Sequence, residues 1–335
     1  MRKQLGVLMA AAVAAAAFGV APGAAEPVKI RISWAVAPAH LTPLIPHAPA
    51  GVYRHYGKSY VVEPMLIAGS GPALQALAAG ELQMGGLSAQ ALVLGATRAK
   101  LDLRVVAQLM SQGVKGYPSS EYYSRKGEIK SPADLKGKTF AVNARGSTID
   151  AAVRRYMAKK GFKDGQDYRI VEVRFPAMLA ALESKRVDVA PLLQPFNLIA
   201  EKKGNMEPVF STIEALGATQ TLQYIARASW VAANRAVVVD FFEDHLRLRR
   251  WLMDPANREE ALKILAQITK RPVDNYRAWA FTKKAYYYDP DGLSDSKLLQ
   301  KNIEDLKEMD ILPASVDVEK YTDLSVVQDA KKRLR

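Results

Sequence analysis

The sequence predicts an open, mostly parallel α/β fold divided between two domains. Three observations carry this. Strand-like apolar runs alternate with helix-like ones from residue 28 onward. The series breaks near Gly113–Gly127 and then restarts. The chain's 335 residues exceed what a single core usually fills, roughly 250–300 residues.

Taken in order, Val28–Trp34 alternates as a strand should, and Tyr60–Ile67 forms a second. Gly69-Ser70-Gly71-Pro72 opens a helix through Leu77, with the proline suited to the first turn. Glu81–Leu87 gives a short strand ending in Gly85-Gly86, followed by the apolar helix Ser88–Ala99 and a fourth strand, Arg104–Met110. Gly113–Gly127 has no clear periodicity and reads as a crossing segment. Beyond it, Ser131–Gly137 is a capped helical turn, Thr139–Asn143 a strand, and Ser147–Lys160 a helix stopped by Gly161. Tyr168–Val173, a helix over Pro176–Lys185 and a strand over Val187–Leu193 complete the second series, and the chain is extended again at Gln220–Ala226. From Val237 onward amphipathic helix dominates. Its stripes, such as Leu298, Ile303, Leu306 and Met309, read as packing faces.

Composition removes several chemistries. There is no cysteine, hence no disulfide framework, thiolate zinc site, iron–sulfur cluster or cysteine nucleophile. The four histidines do not fit a metal site: His40, His47 and His55 sit 7 and 8 residues apart, unlike metal-ligand spacings. No metal and no cofactor is expected.

The N-terminus reads as an export signal. Arg2 and Lys3 precede an uncharged, Ala-rich run, Leu5–Ala21, and Gly23-Ala24-Ala25 offers a cleavage site after Ala25. The run is shorter than the roughly 20 residues a membrane span needs. With no cysteine to carry a lipid, the mature chain is expected free in the periplasm. Losing Arg2 and Lys3 lowers the net charge from +13 to +11. The remaining basic residues are scattered as pairs, such as Arg154-Arg155 and Lys202-Lys203, so they read as solvated surface and no nucleic-acid partner is expected.

Several segments resemble bacterial solute-binding proteins, the extracytoplasmic receptors of ABC importers. Ile129-Lys130-Ser131-Pro132-Ala133-Asp134-Leu135-Lys136-Gly137-Lys138-Thr139-Phe140-Ala141-Val142 is similar to their I-K-S-P-A-D-L-K-G-K-x-x-A-V signature. Gly69–Gln83 resembles the G-x-G…A-L-x-x-G-x-x-D element, with Gln83 in place of Asp. Ala180–Ala190 resembles A-A-L-x-S-G-x-V-D-A-A, with Lys185-Arg186 where glycine is common. Gly146–Asp150 is similar to a helix-opening loop, and Tyr288–Gly292 with Asp305–Leu312 resembles the C-terminal helices. The series spans nearly all the mature chain and is most similar to the nitrate/sulfonate/taurine (NitT/TauT) branch.

The resemblance implies an α/β, type II periplasmic-binding-protein-like fold of two α/β lobes joined by two crossing strands and closing like a hinge. The expected division is a signal at 1–25, lobe 1 at 26–111 plus 222–335 with the C-terminal helices, a crossing at 112–121, and lobe 2 at 122–221. It also implies a receptor that captures a small, anionic organic solute of sulfonate or carboxylate type and delivers it to a permease with its ATPase. The receptor is expected to be monomeric and not an enzyme. Two rivals stay open: a same-fold enzyme of menaquinone or pyrimidine metabolism, which the export signal disfavours, and a ligand-sensing subunit of a signalling system.

Open α/β sheets bind ligands at the carboxyl ends of their strands. That rule nominates Trp34 and His40 after the first strand, Gly69, Ser70 and Gly71 at the first helix, and Ser88 at the next. In the second series it nominates Asn143, Arg145, Gly146, Ser147 and Thr148, then Gln194 and Phe196, with Tyr224 on the returning strand. Helix N-termini there favour an anion. Arg145 is the sharpest candidate, since a guanidinium grips a carboxylate or sulfonate with two parallel hydrogen bonds, against the alternative of an exposed surface arginine. Ser147 with Asp150 fits a helix cap equally well. Trp34, Phe196 and Tyr224 fit either an aromatic wall or buried core. His40 is nominated as a hydrogen-bond donor, the alternative being a loop shaped by Pro38 and Pro43.

Overall fold

The computed structural model describes residues 26–334, so the expected export signal lies outside the described residues. The first series runs β1 (Val28–Trp34), β2 (Tyr60–Leu66), α1 (Ser70–Ala79), β3 (Met84–Leu87), α2 (Ala89–Thr97) and β4 (Leu103–Gln112). The second runs β5 (Glu121–Arg125), β6 (Thr139–Val142), α3 (Thr148–Ala158), β7 (Arg169–Glu172), α4 (Phe175–Glu183), β8 (Ala190–Pro191), α5 (Phe196–Lys203), β9 (Met206–Ser211) and α6 (Thr212–Leu216). The chain then returns through β10 (Thr219–Arg227) to α7 (Ala228–Ala233), α8 (Arg235–Met253), α9 (Arg258–Thr269), α10 (Asp274–Arg277), α11 (Ser296–Glu308) and α12 (Ser325–Lys332).

The larger sheet has the order β2-β1-β3-β10-β4. Its β2-β1-β3 part is parallel, and β10 lies antiparallel between β3 and β4. In the second half β6 pairs β7 in parallel, while β8, β5 and β9 form an antiparallel trio. A parallel bridge between Phe140 and Val189 stitches these together into the order β7-β6-β8-β5-β9, the same 2-1-3-n-4 plan as the first sheet. Each sheet therefore contains a strand delivered by the opposite half of the chain. The expectation of a mostly parallel sheet is corrected at that strand: it runs antiparallel because the chain enters it from the other lobe.

Gly113–Gly127, which lacks periodicity, contains β5, whose Tyr122 and Tyr123 are both buried. A strand covered on both faces shows no alternation, so the sequence signal was missing. Of the strand expected over Val187–Leu193, Val189 bridges Phe140 and Ala190–Pro191 pairs with β5.

The two connections run side by side where Thr219 pairs Gln112. Gly113, with φ of 81°, sits there so tightly that a Cβ would fall 2.6 Å from the Ala218 Cα. Only glycine combines that backbone with that approach. Helices α8, α11 and α12 pack on the larger sheet against β2, β10 and β4. None of the described helices is long and apolar enough to cross a membrane.

Candidate ligand cleft

A cleft of about 520 Å³ lies between the carboxyl ends of the strands of both sheets. The loop after β1 contributes Val36 and His40, the start of α1 Gly69 and Ser70, and β4 Met110 and Gln112. Across the gap stand Asn143, Ser147, Thr148 and Ile149 at the start of α3, Phe175 at the start of α4, and Leu193; Tyr286 closes the space from the C-terminal region.

Local sequence explains the two helix starts. Ser147 caps α3: its Oγ accepts from Asp150 N at 3.2 Å, and the Asp150 carboxylate accepts from Gly146 N at 3.1 Å. The Asp150 carboxyl is pushed up to about 6, because burial outweighs the Gly146 hydrogen bond and the nearby Arg145 charge. At α1, Pro72 carries no N–H, and the first-turn amides of Ser70 and Gly71 are left without an intrahelical acceptor. Both helix starts thus turn free N–H groups and the positive ends of their dipoles toward the cleft.

The halves touch directly across this gap. Asn143 Nδ2 donates to Ala68 O at 2.8 Å, Ser88 Oγ to Gly146 O at 2.7 Å, and Thr148 Oγ1 to Thr221 O at 2.8 Å. A Cβ on Gly71 would lie 2.3 Å from the Arg145 carbonyl oxygen, and one on Gly69 2.4 Å from Asn143 Nδ2. Gly71 therefore sits where two backbones meet, and Gly69 where the Asn143 side chain packs onto the loop.

Of the nominated residues, His40, Gly69, Ser70, Asn143, Ser147 and Thr148 line the cleft together. Gly71, Gly146 and Ser88 form the interlobe seam just behind it, and Ser88 also caps α2. Gln194 stands at an adjoining opening that shares Gln112, Ser120, Leu193 and Tyr286 with the cleft.

Four further nominated residues lie outside the cleft lining. The Arg145 guanidinium is held by Asp164 at 2.9 Å and Asp150 at 3.7 Å, and donates to Ile170 O, so surrounding acceptors turn it away from the cleft. Tyr224 is fully buried behind the sheet among Phe241, Phe242 and His245, where core packing claims its ring. Phe196 is buried at the start of α5 beneath the Arg271 guanidinium, 4.8 Å from its ring centroid. Trp34 ends β1 packed against the core. Neither Trp34 nor Tyr224 lines the cleft.

Tyr286 was missed. It belongs to the run Tyr286-Tyr287-Tyr288 before Asp289-Pro290-Asp291-Gly292, which has no strand or helix period to mark it. Its hydroxyl is buried without a partner among the described residues, and burial pushes its pKa upward, leaving a neutral O–H donor beside the cleft. His40 is also neutral: burial pulls its pKa down to about 4 against the hydrogen bond it makes to the Val36 carbonyl. No residue lining the cleft carries a formal charge.

A closed cleft between two sheets of like topology, with helix N-termini converging on it, defines a two-lobed solute-binding fold. The chain belongs to the NMT1-like family, whose model matches residues 23–266. It is similar to the nitrate/nitrite binding protein NrtA of Synechococcus elongatus, 28% identical over 179 residues, 50% of this chain. The match spans only 40% of that relative's length. The alkanesulfonate-binding protein SsuA from Xanthomonas axonopodis pv. citri, bound to MOPS, superposes with a TM-score of 0.68 at 17% identity, covering 90% of this chain and 99% of that one. The periplasmic nitrate-binding protein NrtA from Synechocystis PCC 6803 gives 0.71 at 17%, covering 92% and 90%. The desulfurization enzyme DSZB has the same fold, with a TM-score of 0.60 at 14% identity, covering 92% and 100%. The resemblance to the NitT/TauT group therefore holds in family and in fold.

Proposed function

We propose that this chain is the extracytoplasmic solute-binding receptor of an ABC importer. It captures a small, anionic organic solute between its lobes and delivers it to the permease. One observation carries the reading: the starts of α1 and α3 face one cleft beside the Tyr286 hydroxyl, which has no partner among the described residues. Such an arrangement suits the oxygens of a carboxylate or sulfonate. Lobe 1 comprises 26–111 and 222–335, lobe 2 comprises 122–221, and 112–121 forms one crossing. The receptor is a periplasmic monomer exported by its N-terminal signal, and its closed form docks on the permease.

Binding is favoured over catalysis because the two lining serines at the helix starts, Ser70 and Ser147, are already engaged. Ser147 donates to Asn143 Oδ1 at 3.0 Å, and Ser70 Oγ accepts from Ser88 N. Neither hydroxyl is hydrogen-bonded to His40, so neither is paired with a base.

A thermal-shift screen of the mature chain against carboxylates and sulfonates tests the reading. A solute at a hundred times its Kd stabilises the folded state by about 2.7 kcal/mol. No shift with any of these acids would sink the anionic reading. Normal uptake after gene deletion, with loss of a transcriptional response, would transfer the receptor from transport to sensing.

A further inference from the structure

His40 is the one imidazole in the cleft, and its two nitrogens are placed differently. Nδ1 lies 3.3 Å from the Val36 carbonyl oxygen, which can only accept, so Nδ1 carries the proton. Nε2 has no hydrogen-bond partner among the described residues, and the ring is part of the cleft lining beside Gly86. The residue is 6% exposed, and among the described residues no charged side chain shares the lining to favour an imidazolium. Burial keeps it neutral at pH 7. The nitrogen left for the solute is therefore a lone pair, reversing the donor role expected from the sequence.

From this geometry we infer that His40 Nε2 is a specificity-determining acceptor, selecting solutes that carry an N–H or O–H donor beside their acidic oxygens. This rests on the receptor reading above. The rest of the cleft supplies donors, namely the Tyr286 hydroxyl and the helix-start amides, while Nε2 supplies the complementary acceptor. An oxoanion with no hydrogen of its own would set an oxygen lone pair against the Nε2 lone pair. A buried acceptor without a donor loses its hydration with nothing in return. Isosteric acids differing in one hydrogen-bonding group are thereby separated.

Two matched pairs serve as probes: methanesulfonate against sulfamate, and nitrate against bicarbonate. In each pair the second member keeps a similar shape and adds an N–H or O–H. Isothermal titration of the mature chain at pH 7.5 should show the donor-bearing member bound about tenfold more tightly. In His40→Leu the ratio should fall to about one, with circular dichroism confirming that the variant is folded. Equal affinities in the wild-type chain would overturn the proposal. A second measurement stands apart from any ligand. Nitrogen-15 spectra of histidine-labelled apo protein should show His40 with Nδ1 protonated and Nε2 bare; a protonated Nε2 would overturn the assignment. If none of the four probes binds while the spectra show a bare Nε2, the compact-anion reading fails and the acceptor assignment stands.

Discussion

At Tyr286 one oxygen separates stability from binding. Its buried hydroxyl has no partner among the described residues, so the apo protein gains nothing from it. Tyr286→Phe is expected to leave the melting temperature unchanged or slightly higher, while weakening the bound acid about tenfold or more, the scale of a hydrogen bond to a charged group. Calorimetry and a thermal melt on the same sample check both halves. For Arg145→Ala the expectation is the converse. Its ion pairs are with Asp164 and Asp150, with the arginine side chain 44% exposed. The variant should bind with an unaltered Kd and lose no more than about 1 kcal/mol of stability. A collapse of binding would return Arg145 to the site.

His40 adds a pH signature at the same scale. Its folded pKa is depressed to about 4 from 6.5 by burial. Above pH 6.5 both folded and unfolded chains hold it neutral. Between 6.5 and 4 only the unfolded chain takes the proton, so stability falls as pH is lowered through that window. The full difference is roughly 3 kcal/mol. Urea titrations at pH 4.5 and 7 should show this dependence reduced in His40→Gln. An unchanged pH profile in that variant would mean the ring is not buried as described.

Among elements, α1 shows how local and tertiary demands diverge. Gly71 lies in its first turn, where alanine would favour the helix by about 0.5–1 kcal/mol. Across the cleft, however, the added Cβ would strike the Arg145 carbonyl oxygen at 2.3 Å. Gly71→Ala is therefore expected to preserve or raise the melting temperature and to weaken binding at least tenfold, by holding the lobes apart. Small-angle scattering with saturating solute should show a radius larger than that of the wild type. The helix itself was legible, since Gly-Ser-Gly-Pro followed by an apolar run marks a start. Its glycine's partner in the other lobe was not, because 74 positions of chain separate Gly71 from Arg145. The cap at Ser147 was likewise readable from Asp150 three residues on. The cleft face of Tyr286 was not, because no period marks an irregular loop.

For the whole molecule, the proposed receptor function places its closing motion at the joint between the halves. Gly113 packs on Ala218 with a left-handed backbone, and the β4–β10 pairing begins beside it. Gly113→Ala should lower stability by more than about 1 kcal/mol, because it combines a strained φ with a 2.6 Å contact to backbone. Chemical denaturation checks this, and a neutral result would mean the crossing relaxes easily.

The alternation of elements, the helix starts and the family were determined by the sequence alone. Each rests on neighbours within a few residues or on ordered segments along one chain. Which faces meet was decided only by the tertiary structure. Folding brought six nominated residues to one cleft, paired Arg145 with acids outside it, and buried Tyr224 in the core. It also delivered Tyr286 from more than 130 positions beyond Thr148. The reason is physical: propensity and capping act through local hydrogen bonds, whereas a binding site is a coincidence of distant side chains enforced by packing.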